Sequence, residues 1–161
     1  MGAHFNSAHK NFFLLAYTGQ VSRMHFNDKL IYKKKLEQIM NDLDPVLRVM
    51  PMPKDTNRYG TVFGGVILSY LDIAGALEAR KTAVMNYVTV AMNKVEFHQP
   101  VFVGDQVSFY ARTIRKGRTS ITVAVDVVAN RYDNPDEEVQ VTSAEISYVA
   151  VDENRRPVLI P

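Results

Sequence analysis

Residues 62–79 read VFGGVILSYLDIAGALEA, and two of their features could do chemistry. The first is the pair Gly64–Gly65, which opens a long apolar helix. Helix starts carry unpaired N–H groups and the positive end of the backbone dipole. Phe63, Gly64 and Gly65 supply no capping oxygen, so these N–H groups are free to hold a ligand oxygen, and glycine lets the ligand come close. A plainer use of the pair is a tight turn into the helix, or Thr61 could cap it. The second feature is Asp72, about two turns further on, between Leu71 and Ile73. Nearly every other residue from Val66 to Ala79 is apolar or small. An unpaired buried charge is costly, so such an acid is paired, exposed at a seam, or working. Ser69, Gly75, Ala76 and Ala79 share its face by helical spacing, a small-residue face suited to close approach by another chain.

The elements that must position these groups follow from periodicity. Val46–Met52 is a short strand ended by Pro53, and Lys54–Gly60 is a polar loop. The helix runs from Gly65 to about Val84. The period then changes from helical to two. Tyr87–Phe97 alternates, Pro100–Gly104 turns, and Asp105–Arg115 is a further strand that turns at Lys116–Gly117. Residues 118–131 alternate best, with Ile121, Val123, Val125 and Val127 on one face and Ser120, Thr122, Ala124 and Asp126 on the other. Val139–Val151 is the last strand. The order β–α–β–β–β–β predicts an α+β domain. Its later strands form an antiparallel meander, and its curved sheet wraps the one long helix.

The first 45 residues look like an extension to a domain spanning 46–161. Phe12–Tyr17 is an apolar patch too short for a signal sequence, and Met24 is a second possible start. Asn27 caps an expected helix from about Asp28 to Leu43, whose stripe is Leu36, Ile39, Met40 and Leu43. Lys33, Lys34 and Lys35 give it a basic face.

Composition narrows the function. The chain has 161 residues, 47% hydrophobic and 22% charged, with a net charge of +2, too small to argue for nucleic acid. It has no cysteine, which removes disulfides, thiol catalysis and thiolate metal sites and fits a reducing compartment such as the cytoplasm. No apolar run reaches the ~20 residues of a membrane span. His4, His9, His25 and His98 are scattered, so no metal cluster is expected. There is no Gly-x-Ser-x-Gly elbow, and no Lys-Ser/Thr follows Gly64–Gly65 to make a phosphate loop.

The order and spacing of several short motifs resemble the acyl-CoA thioesterases of the bacterial YciA type and their eukaryotic relatives, which have the hotdog fold. These motifs are Met52-Pro53-Lys54-Asp55-Thr56-Asn57, Gly60 with Phe63-Gly64-Gly65, Leu71-Asp72 with Ala74-Gly75-Ala76, and Val88-Thr89-Val90-Ala91. They continue with Phe97, Pro100-Val101, Gly104-Asp105, Gly117-Arg118-Thr119-Ser120 and Tyr148-Val149-Ala150-Val151-Asp152. The resemblance covers about residues 46–161.

The resemblance implies hydrolysis of fatty acyl-CoA to free acid and coenzyme A, with no cofactor beyond the coenzyme A of the substrate and no metal. It implies that Asp72 is the general base on water, or else a nucleophile forming a mixed anhydride. Asn57, reaching across a subunit interface, orients water or substrate. The Gly65 N–H, with Gly64 beside it, receives the negative charge that develops on the thioester oxygen. Val88, Thr89 and Val90 lie along the substrate. Gly117, Arg118, Thr119 and Ser120 offer a cation and hydroxyls to the coenzyme A phosphates, although they could be a plain hairpin turn. A homodimer is implied, assembling to a tetramer or hexamer, with no stable membrane insertion. Two other readings stay open: a hydratase or dehydratase on an acyl thioester, which would want a histidine near Asp72, and a non-catalytic acyl-CoA sensor.

Overall fold

The structure is a computed structural model that describes residues 44–161. The expectations for Phe12–Tyr17, Met24 and the helix from Asp28 to Leu43 lie outside the described residues. Residues Pro45–Pro161 form one compact unit.

Five strands and one long helix make up that unit. β1 is Leu47–Val49, α1 is Gly64–Thr82, β2 is Asn86–Phe97, β3 is Gln106–Lys116, β4 is Ser120–Asn130 and β5 is Glu138–Val151, and a short 3-10 turn at Pro53–Asp55 precedes α1. The strands form a single sheet in the order β1-β3-β4-β5-β2. Every pairing is antiparallel. The expected β–α–β–β–β–β order and the meander from β3 to β5 are both present. β2 follows the helix in sequence but pairs with β5, at the sheet edge opposite β1.

The core lies between α1 and one face of the sheet. Ile121, Val123, Val125 and Val127 of β4 are fully buried, and they meet Ile67, Leu71, Ala74 and Ala79 of α1 in one cluster with Phe109, Ile146 and Tyr148. Strict alternation of β-branched residues put this set on one face, so a one-residue slip in register would turn all of it away from α1. Two register shifts bend β2, between Thr89 and Ala91 and between Asn93 and Glu96. β3 is shifted between Thr113 and Arg115. There Glu78 of α1 accepts the Thr113 N–H at 3.1 Å, which ties the helix to the irregular part of the strand. Such bulges let a sheet curve over a helix.

One expectation needs correction. Gly75 and Ala79 do not face another chain, for both are buried inside their own subunit. Gly75 packs against Tyr148 of β5. The edge that α1 leaves open is instead Ser69, Ile73 and Leu77, one turn apart, and Ile73 and Leu77 are large apolar residues 48% and 43% exposed.

Candidate active site

Asp72 is not a lone acid. The Thr89 hydroxyl donates to its Oδ1 at 2.6 Å. The Tyr148 hydroxyl donates to the Asp72 backbone carbonyl at 2.8 Å and lies 3.4 Å from the same Oδ1. Thr89 and Tyr148 are directly paired across β2 and β5, so two adjacent strands present two hydroxyls to one point on the helix. Oδ2 has no partner among the described residues. The carboxylate is therefore oriented through one oxygen and open at the other. A hydroxyl bond to a charged group is shorter and stronger than one between neutral groups, and 2.6 Å fits that class.

Tyr148 cannot compete for the negative charge. Burial first, then the Asp72 charge and the hydrogen bond to it, push its phenol far above the ordinary value of 10.0.

The start of α1 is uncapped, as its residue types imply. Phe63 is the N-cap and contributes no side-chain bond. Thr61 does not cap it, because the Thr61 hydroxyl accepts from Asn57 Nδ2 at 3.0 Å. The approach to the helix is held by the Val62 N–H on Val101 O and the Phe63 N–H on Asp55 O, each 2.8 Å. The Val66 N–H turns back to Phe63 O at 2.9 Å, and the Gly64 and Gly65 N–H groups lie ahead of the intrahelical ladder. Two aromatic rings close on these glycines. A β-carbon would come within 3.3 Å of the Phe97 ring at residue 64 and within 2.4 Å of the Phe63 ring at residue 65.

Asn57 belongs to the loop that precedes this helix. Its Oδ1 accepts the Tyr59 N–H at 2.8 Å and faces the Thr61 N–H at 3.4 Å. With one amide hydrogen on Thr61, the remaining Nδ2 hydrogen is what the side chain has left to offer. Asn57 makes no hydrogen bond to Asp72 within the subunit.

The sequence-derived candidates thus fall into three groups. Asp72 and Thr89 meet directly. Asn57, Gly64 and Gly65 sit together at the helix start. Gly117, Arg118, Thr119 and Ser120 form the β3–β4 hairpin, whose backbone is pinned by β5 and the segment after it: Thr119 O accepts the Ala150 N–H of β5 at 2.9 Å, Arg118 O accepts the Ile160 N–H at 2.8 Å, and Lys116 Nζ reaches the Pro161 carbonyl. Val149 is paired with both Ser120 and Val88, so the hairpin's end and the exposed Val88 lie in one row across three strands. Val90 is more exposed still, at the same edge. The Arg118 side chain is exposed, and so are Arg155 and Arg156 in the turn after β5.

Tyr148 is the site residue that sequence reasoning passed over. Its one signal was a tyrosine at an inward position between Ile146 and Ala150, on a face otherwise filled by aliphatic side chains. Among the described residues, no group of three or more His, Cys, Asp or Glu side chains could hold a metal ion. None of the helices described is long and apolar enough to cross a membrane.

Comparison with known proteins agrees with this geometry. The Thioesterase superfamily model matches residues 59–131. Acyl-CoA thioester hydrolase YciA of Escherichia coli is 39% identical over 120 residues, which cover 73% of this chain and 91% of that protein. The hexameric hotdog fold thioesterase Cj0915 of Campylobacter jejuni superposes with a TM-score of 0.70 at 41% identity, over 74% of this chain and 91% of that one. The hexameric thioesterase y2039 from Yersinia pestis gives a TM-score of 0.70 at 40% identity, over 73% and 95%. A curated relative matched over nearly its whole length, and solved thioesterases matched as fully, one of them of the hotdog fold, show the family: the chain belongs to the hotdog-fold acyl-CoA thioester hydrolases of the thioesterase superfamily.

Proposed function

We propose that this protein hydrolyses fatty acyl-CoA to the free acid and coenzyme A, with Asp72 as general base. The observation that carries the reading is the environment of Asp72: Oδ1 held by Thr89 at 2.6 Å, and Oδ2 left open. Asp72 Oδ2 takes a proton from water as the water oxygen bonds to the thioester carbon. The carbonyl oxygen becomes an oxyanion, which helix-start N–H groups at Gly65 and Gly64 stabilise; one such donor is worth ~10²–10³ in rate. Collapse of this intermediate breaks the C–S bond, and the thiolate of coenzyme A takes up the proton held on Asp72, which returns the carboxylate to its starting state.

The spacing of Asp72 and Gly65 favours a thioester held between two subunits. They are seven residues apart on one helix, ~10 Å at 1.5 Å per residue, while both must lie about 3 Å from the reacting group. Two subunits solve this. Asp72, Thr89 and Tyr148 come from one, and Gly65 with Asn57 from the other, where the free Nδ2 hydrogen of Asn57 orients water or the thioester. The surface for that pairing is available. β2 is a twelve-residue edge strand with Val88 and Val90 exposed, beside Ile73 and Leu77 of α1. A long unpaired apolar edge is a liability that a second copy removes. The two solved relatives described above are hexameric, and a dimer that assembles further is the state we propose. Arg118 with Thr119 and Ser120 receives the coenzyme A phosphates, Val88 and Val90 flank the substrate, no metal or further cofactor takes part, and the reaction runs in the cytoplasm. Residues 1–45 carry none of these groups.

A hydratase or dehydratase reading loses support from the site, because Asp72 is bonded by hydroxyls while His98 sits beside Ser143 and Glu96. The test is Asp72→Asn, which keeps the shape and the contact with Thr89. Turnover of palmitoyl-CoA, followed by thiol release, should fall ~10²-fold or more with melting unchanged. Near-normal turnover in the folded variant overturns the assignment, and an unaltered wild type that binds palmitoyl-CoA without releasing thiol makes it a sensor.

A further inference from the structure

Asp105 is 2% exposed and carries a carboxylate. A charge so buried needs a partner, and Arg131 at the end of β4 supplies it: Nη1 donates to Asp105 Oδ2 at 2.6 Å. The same nitrogen donates to the Pro100 carbonyl at 3.0 Å. Asp105 Oδ2 also accepts the Phe102 N–H at 3.0 Å, and Oδ1 faces the Tyr132 N–H at 3.4 Å. The guanidinium lies 5.1 Å from the centre of the Phe102 ring. One ion pair thus closes the irregular connection between β2 and β3 and ties its two ends to β4.

That connection bears on the helix start. Val101 is buried, and its carbonyl accepts the Val62 N–H at 2.8 Å. Phe97, where the connection begins, lays its ring against Gly64. Of the two backbone bonds that hold the approach to α1, this connection therefore supplies one, and the Phe63 N–H on Asp55 O is the other; Phe97, the last residue of β2, stands at the head of the connection. The segment has little ladder of its own. Pro100 has no N–H to give, and the His98 and Gln99 N–H groups share one acceptor, Val141 O.

We infer that the Asp105–Arg131 pair is a positioning device for the oxyanion donors, holding Val101 and through it the Gly64–Gly65 start of α1. The inference rests on the reading that those N–H groups receive the thioester oxygen. Displacement of donors by about 1 Å is enough to cost a large factor in rate, and it acts on the transition state rather than on substrate binding. Loosening the pair should therefore lower kcat and leave KM nearly unchanged.

The experiment uses Arg131→Gln, Arg131→Lys and Gly65→Pro, alone and combined with Arg131→Gln, with Gly65→Ala, which keeps the N–H, as the control for the β-carbon that meets the Phe63 ring in both substitutions. Each is assayed as the full chain with palmitoyl-CoA, well below its melting temperature. Arg131→Gln should lower kcat about tenfold or more with KM changed less than about threefold, and Arg131→Lys should recover part of the loss. Amide exchange should speed up at residues 62–66 and not in the centre of β4. In the Gly65→Pro background, Arg131→Gln should add little further loss, since both act on one donor. If Gly65→Pro retains full kcat, the oxyanion reading falls, and this inference with it. If Gly65→Pro is impaired and Arg131→Gln still multiplies the loss in full, the oxyanion reading stands and the positioning role is wrong. Should Arg131→Gln fail to fold, Arg131→Lys carries the same tests, and unchanged exchange at residues 62–66 in it overturns the proposal.

Discussion

The Tyr148 hydroxyl occupies the space that a side chain on residue 75 would fill: a β-carbon there would lie 2.2 Å from the phenol oxygen. Gly75 is one turn beyond Asp72 on α1. Its bare Cα lets the tyrosine pass close along the helix and reach the Asp72 carbonyl at 2.8 Å. A backbone carbonyl and a carboxylate oxygen of the same residue thus face one donor from the sheet.

Gly75→Ala should displace that hydroxyl. We expect a loss of ~1–3 kcal/mol in stability from overpacking and a drop in kcat of about tenfold. Combining it with Tyr148→Phe should cost less than the two changes summed, because the phenylalanine removes the nearest clashing atom. Thermal melting and thiol-release kinetics on the four proteins of this cycle test the idea, and strict additivity in both would contradict it.

Thr89→Val tests the other hydroxyl. The two side chains are nearly the same shape, so the change removes the bond to Asp72 Oδ1 and little else. Hydrogen bonds to charged groups contribute ~1.5–3 kcal/mol, and if that bond orients the base, kcat should fall ~10- to 10²-fold. KM should move much less. A variant with lowered affinity and intact kcat would make Thr89 a substrate contact instead.

The alkaline limb of stability follows from Tyr148. Its phenol is raised in the folded chain above the ordinary value of 10.0. The folded state then holds a proton that the unfolded state has released, so stability is full below about pH 10 and falls as pH rises beyond it. Tyr87 is raised as well, by burial, and contributes in the same direction. Denaturant titrations between pH 8 and pH 11.5 should show this decline in the wild type and a shallower one in Tyr148→Phe. An equal slope in both would mean that the tyrosine is no more protonated in the fold than out of it.

What could be read from the chain without coordinates depended on how local the signal was. The alternation from Ile121 to Val127 requires only neighbours in sequence, and those residues are indeed the buried face of β4. The uncapped glycine start of α1 is equally local. The 3-10 turn at Pro53–Asp55 was lost in a polar stretch, because its bonds, Asp55 N–H to Met52 O and Thr56 N–H to Pro53 O, leave no periodic trace. Gly75 was misread for a different reason. A small residue says that something comes close, but not what, and the sheet's own tyrosine lies far along the chain. Thr89 and Tyr148 meet Asp72 only because the β2–β5 register sets them side by side, and register across non-sequential strands is not a property of any short segment.

The division of the site between subunits can be tested by mixing inactive proteins. The helical rise puts Gly65 ~10 Å from Asp72 along the helix, and within one subunit Asn57 bonds its own loop through Oδ1 and one Nδ2 hydrogen and leaves the other Nδ2 hydrogen to offer. Asp72→Asn removes the base from one half of each site, and Asn57→Ala removes the donor from the other half. Each variant alone has no complete site. A mixed dimer contains one site with both defects and one with neither, because the intact Asp72 of one subunit faces the intact Asn57 of the other. Co-refolding equal amounts should thus restore about a quarter of wild-type activity, since about half the dimers are mixed and each has one of its two sites intact. Co-expressed, differently tagged subunits purified in tandem verify that the mixed assemblies form. Mixed dimers that form, verified by the two tags, and remain inactive would place base and donor in the same subunit. A monomeric wild type that still hydrolyses acyl-CoA would exclude the shared site outright.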